Sequence, residues 1–324
     1  MHSARILQPS GQTMTAILVT GATGFIGQPT CKALLSGGHA VAGATRTVPV
    51  QMHAQPVVVG DIGPDADWSK ALAGREVVVH LAAHVHAMGG KASDFHRVNV
   101  EGSENLARQA ARAGVQRFVF MSSVKVSGEV TRERAFTESD PPQPADAYGA
   151  SKAEAEIRLK ALCANSGMEL VILRPPLVYG SGVKANFLNL IRAVDAGVPF
   201  PLSSIVNLRS LVYVGNLVDA LGVCLRPEAA NRTFFVSDGY DLSTPRLIKE
   251  IAVALGKRPL LFPFPPALLH VAGLLTGRSE QLARLTGSLQ VDISSIKATL
   301  GWNPPFSLQQ GLAATASWYR TRSS

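Results

Sequence analysis

Cysteine is scarce: three residues in 324, Cys31, Cys163 and Cys224, far apart and with no CxxC spacing. That pattern argues against a disulfide framework or a thiolate zinc site, and a reducing cytoplasm is the expected setting. Long apolar runs are missing too. No stretch reaches the ~18 residues that a membrane span needs. The most apolar patch, PALLHVAGLLTG at 266–277, is too short and reads as a packed helix, with a surface segment that touches a membrane or a partner as the alternative. The opening MHSARILQPSGQ has no apolar h-region and does not read as a signal peptide. Residues 1–13 read as a disordered extension, and Met14 opens a second plausible start. Runs of five or six Lys/Arg are absent, as are the motifs of known nucleic-acid modules, so no nucleic-acid partner is expected. Charge is low at 17%, but it is biased: the net charge is +8 and the pI about 9.6. With the cations scattered, that excess suits a small polyanion such as a nucleotide phosphate.

What the chain does have is 46% hydrophobic content and a regular alternation of elements. AILVT (16–20), AVAGATR (40–46), PVVVGDI (56–62), VVVHLAA (77–83), RFVFMSS (117–123) and ELVILRPP (169–176) read as buried strands. Helical stretches, among them 96–113 and 146–165, lie between them. Such alternation predicts an α/β fold, a doubly wound parallel sheet of Rossmann type over residues 14–178. Beyond it the regularity fades. A helix is expected at 187–197, a strand at 208–214 and a well-punctuated helix at 244–256. Residues 179–324 then form a smaller substrate-binding α/β lobe, with a return to the first domain near 207–237.

The first strand runs straight into VTGATGFIG, where Gly21, Gly24 and Gly27 have GxxGxxG spacing. Gly21 permits the tight turn, Gly24 the approach of a pyrophosphate, and Gly27 close helix–strand packing. The following helix N-terminus offers N–H groups and positive dipole to an anion. Thr23, Phe25 and Ile26 complete this cradle. The second strand ends in AGATRTVP, with Arg46 and no nearby carboxylate. An arginine there suits a 2′-phosphate, so NADP(H) is favoured over NAD(H). Asp61 is placed to reach the adenine amino group, with Ile62 packing on the ring. Leu81, Ala82 and Ala83 give close approach to the cofactor. His80 reads as a packed strand residue, and His84 and His86 as structural or substrate-shaping.

The order TGATGFIG (20–27), GDI (60–62), HLAA (80–83), VNVEG (98–102), SSVKVSG (122–128), YGASK (148–152) and RPPLVYG (174–180) resembles the extended short-chain dehydrogenase/reductases, in particular their nucleotide-sugar epimerase/dehydratase group. The resemblance spans essentially the whole Rossmann portion and is looser beyond it. It implies that Tyr148 and Lys152 are the catalytic tyrosine and lysine and that Ser123 hydrogen-bonds the reacting oxygen. Asn99 would support the cofactor site, Ser122 would lie beside it, and Pro175 to Leu177 would border the nicotinamide. In the second lobe, Asn186, Arg209 and more weakly Arg278 match contacts to the substrate phosphates, and Lys125 stands where it would meet the sugar. A homodimer is implied as well. The chemistry agrees: a free tyrosine has a pKa near 10, too high for a base at neutral pH, and a lysine one helical turn away favours its phenolate.

Departures narrow the reaction. Dehydratases of the group carry an Asp–Glu pair after the catalytic hydroxyl residue, whereas Val124 and Lys125 follow Ser123 here. Epimerases usually keep an acid after the second strand, where this chain has Arg46. The expected function is therefore reduction of the C4 ketone of a UDP-4-keto-6-deoxy-N-acetylhexosamine by NADPH, as in O-antigen synthesis. A UDP-hexose or UDP-N-acetylhexosamine 4-epimerase with tightly bound NAD is the alternative. A reductase of apolar carbonyls and a non-catalytic cofactor sensor are weaker readings.

Overall fold

A computed structural model describes residues 14–49, 51–85, 92–275, 277 and 279–323. The expectations for residues 1–13, His86 and Arg278 fall outside them. In chain order the elements are β1 (Ala16–Thr20), α1 (Gly27–Ser36), β2 (Ala40–Thr45), β3 (Gln55–Val58), α2 (Ser69–Leu72), β4 (Val77–His80), α3 (Ala92–Phe95), α4 (Gly102–Arg112), β5 (Arg117–Met121), α5 (Ala147–Ser166) and β6 (Glu169–Arg174). They continue with β7 (Leu177–Tyr179), α6 (Ala185–Asp195), β8 (Leu211–Tyr213), α7 (Val214–Val223), β9 (Arg232–Phe235), α8 (Thr244–Ala254), α9 (Pro266–Leu275), α10 (Ser279–Thr286), α11 (Ser294–Leu300) and α12 (Leu308–Ser323).

Seven strands form one parallel sheet in the order β3-β2-β1-β4-β5-β6-β9. Burial on both faces explains their near-continuous apolar runs. On one face Ile17, Val19, Val79, Val119 and Val171 pack with residues of α1, α7 and α11. On the other, Leu18, Val78, Phe118, Phe120 and Ile172 pack with Leu106 and Ala110 of α4 and Leu159 of α5. The strand order reverses between β1 and β4, and Thr20 and His80 sit side by side there in register. Ligands of open α/β sheets bind at that switch point, beyond the carboxyl ends of the strands. β1 matches its expected run, β2 stops one residue short, and β3, β4, β5 and β6 stop two or more residues short of theirs. The residues left over, Leu81 to Ala83 and Ser122 to Ser123 among them, leave the sheet to wall the crevice.

The second lobe has its own core, built on Tyr179, Phe187, Ile191, Leu211, Ile248, Ile251 and Leu312. The strand expected at 208–214 shrinks to β8, paired with β7, and Arg209 before it makes isolated bridges to Leu242 and Leu289. A buried carboxylate ties these pieces: Asp238 accepts from Tyr179 Oη at 2.9 Å, from Tyr213 N at 2.8 Å and from Asn216 Nδ2 at 2.7 Å. Among the described residues, no helix is long and apolar enough to cross a membrane.

Candidate active site

Two glycines weld the crevice wall. Gly21 takes φ +65°, and a Cβ on it would lie 2.9 Å from Ala82 N. A Cβ on Gly27 would lie 2.0 Å from Gly21 O, so α1 can start there only without a side chain. Thr20 Oγ1 accepts from Ala82 N at 3.1 Å, joining the loop after β1 to the loop after β4. Ile26, at the head of α1, caps the helix with no side-chain hydrogen bond, but Gln28 N already donates to Gly24 O at 3.1 Å and residue 29 is a proline, so the helix start offers an anion its dipole rather than a row of free N–H groups. Thr23 and Gly24 are exposed at this rim, while Ile26 packs on the sheet and Phe25 reaches the second lobe's core near Gly182. A cradle that a Cβ would fill, backed by an uncapped helix start, fits a dinucleotide pyrophosphate.

At the nucleoside end Arg46 and Asp61 face each other, Nη1 to Oδ1 at 3.8 Å, both well exposed. Ile62 is not free to stack as expected. A Cβ on Gly102 would lie 2.8 Å from Ile62 Cγ2, so its side chain is packed against the start of α4. Leu81, Ala82 and Ala83 are partly buried along the wall, as expected for close approach.

The reacting end is deeper. Asp146 accepts from Gly149 N at 2.7 Å and starts α5, which carries Tyr148 and Lys152 one turn apart. Lys152 is fully buried, with Nζ 4.0 Å from the centre of the Phe120 ring. Burial pulls its pKa down to about 7, and Glu156 opposes that pull only in part. Tyr148 goes the other way: burial, with Asp146 adding to it, pushes the phenol up to about 12. The expected lowering of Tyr148 by Lys152 is thus not what the protein alone provides. A lysine that is itself desolvated is a weak source of positive field.

Beneath this pair lies a set of side chains that position it. Asn99 is buried on a π-helical turn, His96–Glu101. It accepts from His84 N at 2.7 Å and donates to His84 O at 3.1 Å and to Ser151 Oγ at 3.0 Å, tying the loop after β4 to α5. His80 is neutral, its pKa driven down to about 3 by burial first and Lys152 second. Its ring bridges Thr20 Oγ1 at 2.7 Å and Ser103 Oγ at 2.9 Å and stacks on Phe120. His84 packs edge-on against Phe95, which contacts Tyr148 in the same way. Ser123 is partly exposed at the mouth, its hydroxyl accepting from Lys125 N at 3.2 Å.

Several expected contacts sit differently. The Ser122 hydroxyl donates to Glu156 at 2.5 Å, inside a buried Glu156–Arg174 pair, and so faces the core. Lys125 Nζ is held by Glu129 at 2.6 Å and by Asp146, which binds it into the start of α5. Pro175 is buried and accepts from Val124 N at 3.0 Å, while Leu177 is 41% exposed. Asn186 is exposed at the start of α6, beside Ala185 with φ 51°. Arg209 is half-buried and donates to Gly287 O at 3.0 Å; burial lowers its pKa, against the attraction of Glu129. Sequence reasoning missed Asp146 and Ser151, and it read His80 as the packed strand residue that it is, without its bridge between Thr20 and Ser103. Each acts through a partner distant in sequence, and only the capping position of Asp146 had a local signal.

A glycine cradle at a sheet's switch point, with a tyrosine and lysine one helical turn apart beside it, is an arrangement that suits a dinucleotide-dependent enzyme of the Rossmann type. The family model for the NAD dependent epimerase/dehydratase family matches residues 17–236. The chain belongs to that family. It is 46% identical over 309 residues to a UDP-glucose 4-epimerase of Vibrio cholerae, covering 93% of this chain and 94% of that one. Over 319 residues it is 28% identical to the N-acetyl-alpha-D-glucosaminyl-diphospho-ditrans,octacis-undecaprenol 4-epimerase of Escherichia coli O157:H7, covering 93% and 94%. Among solved structures, MoeE5 in complex with UDP-glucose and NAD superposes with a TM-score of 0.78 at 26% identity, covering 95% of this chain and all of that one.

Proposed function

We propose that the protein is a UDP-sugar 4-epimerase, acting on a UDP-hexose or UDP-N-acetylhexosamine. The observation that carries this reading is the placement of Ser123, Tyr148 and Lys152 at the carboxyl edge of the sheet, beside the cradle of Gly21, Gly24 and Gly27. The ranking expected from sequence is reversed because of the likeness to the Vibrio epimerase.

A bound nicotinamide supplies the acceptor and donor of hydride. Tyr148 Oη would take the proton from the sugar's O4 in the oxidising half of the reaction and return it to the same oxygen in the reducing half. Ser123 Oγ donates a hydrogen bond to the same oxygen and holds it in line with Tyr148. Without cofactor Tyr148 is held protonated and Lys152 is a weak source of field, so Lys152 would have to act with the positive charge of the bound dinucleotide to ionise the phenol before it takes that proton. Asn99 and Ser151 keep α5 in register with the cofactor wall. Arg209 and Asn186 are assigned the substrate phosphates, with Arg278 as a further candidate. The missing carboxylate pair after Ser123 argues against loss of water.

A second reading keeps the same groups for one-way reduction of a UDP-4-keto-6-deoxy-N-acetylhexosamine in O-antigen synthesis. Arg46 favours it, since an arginine at the end of β2 suits the 2′-phosphate of exchangeable NADP(H). A homodimer in the cytoplasm is part of both proposals.

The test is direct. Purified protein with NAD and UDP-glucose should form UDP-galactose, followed by NMR. If it forms none, yet oxidises NADPH with the ketosugar, the second reading replaces the first. Tyr148→Phe should cut turnover by about 10³-fold or more with cofactor affinity unchanged; surviving turnover would show that another group moves the proton.

A further inference from the structure

The second lobe carries a surface that the oxidoreductase reading leaves unused. Residues 196–208 and 259–277 contain no Asp, Glu, Lys or Arg. The two segments lie side by side: Phe200 N donates to Leu260 O at 2.7 Å, and Phe262 N to Phe200 O at 3.1 Å. Together they expose Val198, Val206, Leu208, Leu260, Phe262, Leu268, Leu274 and Leu275. Val206 is 97% exposed, Leu274 72% and Leu275 82%. Their exposure is built in. Between Val206 and Leu208, the buried Asn207 donates to Thr244 Oγ1 at 3.1 Å and Gly287 O at 3.0 Å, so the backbone is pinned where it turns two apolar side chains outward. Leu269 is buried in the lobe's core and anchors α9 from its inner side.

The rim of this surface is basic. Arg258 is exposed next to Leu260, and Lys257 precedes it. Arg320 comes from α12 to the same corner, where it donates to Ala254 O at 3.1 Å. The acid facing the corner is Asp195, which pairs with Lys257 at 3.4 Å and accepts from Tyr319 Oη at 3.2 Å.

We infer that this face docks on an anionic lipid bilayer, with α9 lying in the interface and Leu274 and Leu275 entering the acyl boundary. Three features favour a bilayer over a second copy of the chain. The patch has no charge to pair across a protein interface. Its basic rim would meet itself across a two-fold axis, in a chain of net charge +8. And exposed leucines at the end of a short, uncharged helix, on a face whose Leu260 edge carries Arg258, combine apolar surface with cations as an anionic bilayer requires. The inference does not rest on which sugar the active site takes.

Flotation with vesicles of phosphatidylcholine alone, or with phosphatidylglycerol added, tests it. The full-length protein should float with the anionic vesicles, less so as salt rises, and little with the neutral ones. The double variant Leu274→Glu/Leu275→Glu should bind at least tenfold more weakly while keeping the wild-type melting temperature and turnover of a soluble UDP-sugar. Arg258→Glu should weaken binding to anionic vesicles by a smaller factor. Absence of wild-type flotation, or equal flotation of the double variant, overturns the inference. So does light scattering in which the double variant dissociates a wild-type oligomer, which would make the face a protein interface.

Discussion

At one end of the crevice Lys152, Asn99 and His80 are each at most 1% exposed, and every polar atom sits among groups that shift its chemistry. At the other end Arg46 and Asp61 face each other in nearly open solvent, 79% and 90% exposed. The reacting end is held by packing and buried hydrogen bonds, where one misplaced atom costs several interactions at once. The nucleoside end is held by an exposed ion pair, which contributes little to stability and changes at little cost. On the roles proposed above, a change at Arg46 leaves Tyr148 and Lys152 on α5 undisturbed.

The largest effect is expected where the two ends meet. Gly27→Ala places a methyl 2.0 Å from Gly21 O, within the turn that both ends share. Backbone has to move, and overpacking of this kind costs on the order of 3 kcal/mol. Urea unfolding should show that loss, and fluorescence titration should show cofactor binding abolished at both ends. Normal binding in this variant would mean that the cradle does not hold the pyrophosphate.

That contrast also explains what was legible in the sequence. The glycine turn, the positions of the strands and the placement of Tyr148 and Lys152 one turn apart on a helix are local patterns, each set by backbone geometry or helical period, and the structure has them where the sequence put them. The buried partners left no such pattern. His80 bonds Thr20, 60 residues earlier, and Asn99 reaches Ser151, 52 residues later. Nothing local marks those contacts; only the closing of the sheet makes them neighbours. The same limit hid the partners of Ser122 and Lys125, whose motif positions pointed to ligand while the fold also gives them Glu156 and Asp146. In the second lobe, PALLHVAGLLTG has the composition of a packed helix, and only its placement exposes Leu268, Leu274 and Leu275.

A smaller effect with a definite sign is expected at the reacting end. Burial pulls Lys152 from 10.5 to about 7, so the folded cofactor-free protein binds that proton less tightly than the unfolded chain does. The penalty is present in full below about pH 7, shrinks as pH rises, and vanishes above the unfolded value. Lys152→Met removes it. The variant should melt above wild type near pH 6 and converge on it near pH 10, while losing turnover at both. A melting difference independent of pH would show that the ammonium is not desolvated as the structure implies.

The smallest effect belongs to the exposed pair. Arg46→Ala removes no buried contact, so the melting temperature should stay within a degree or so of wild type. If Arg46 reads a 2′-phosphate, NADPH should bind about three- to tenfold more weakly, and NADH unchanged. Asp61→Asn should do the reverse for NADPH, because it frees the guanidinium from its partner at 3.8 Å. Equal weakening of both nucleotides by Arg46→Ala would place the arginine on the shared adenosine rather than on the phosphate that distinguishes them. The preference for NADP(H) would then lose its one structural support, and the epimerase reading with tightly bound NAD would gain what it loses.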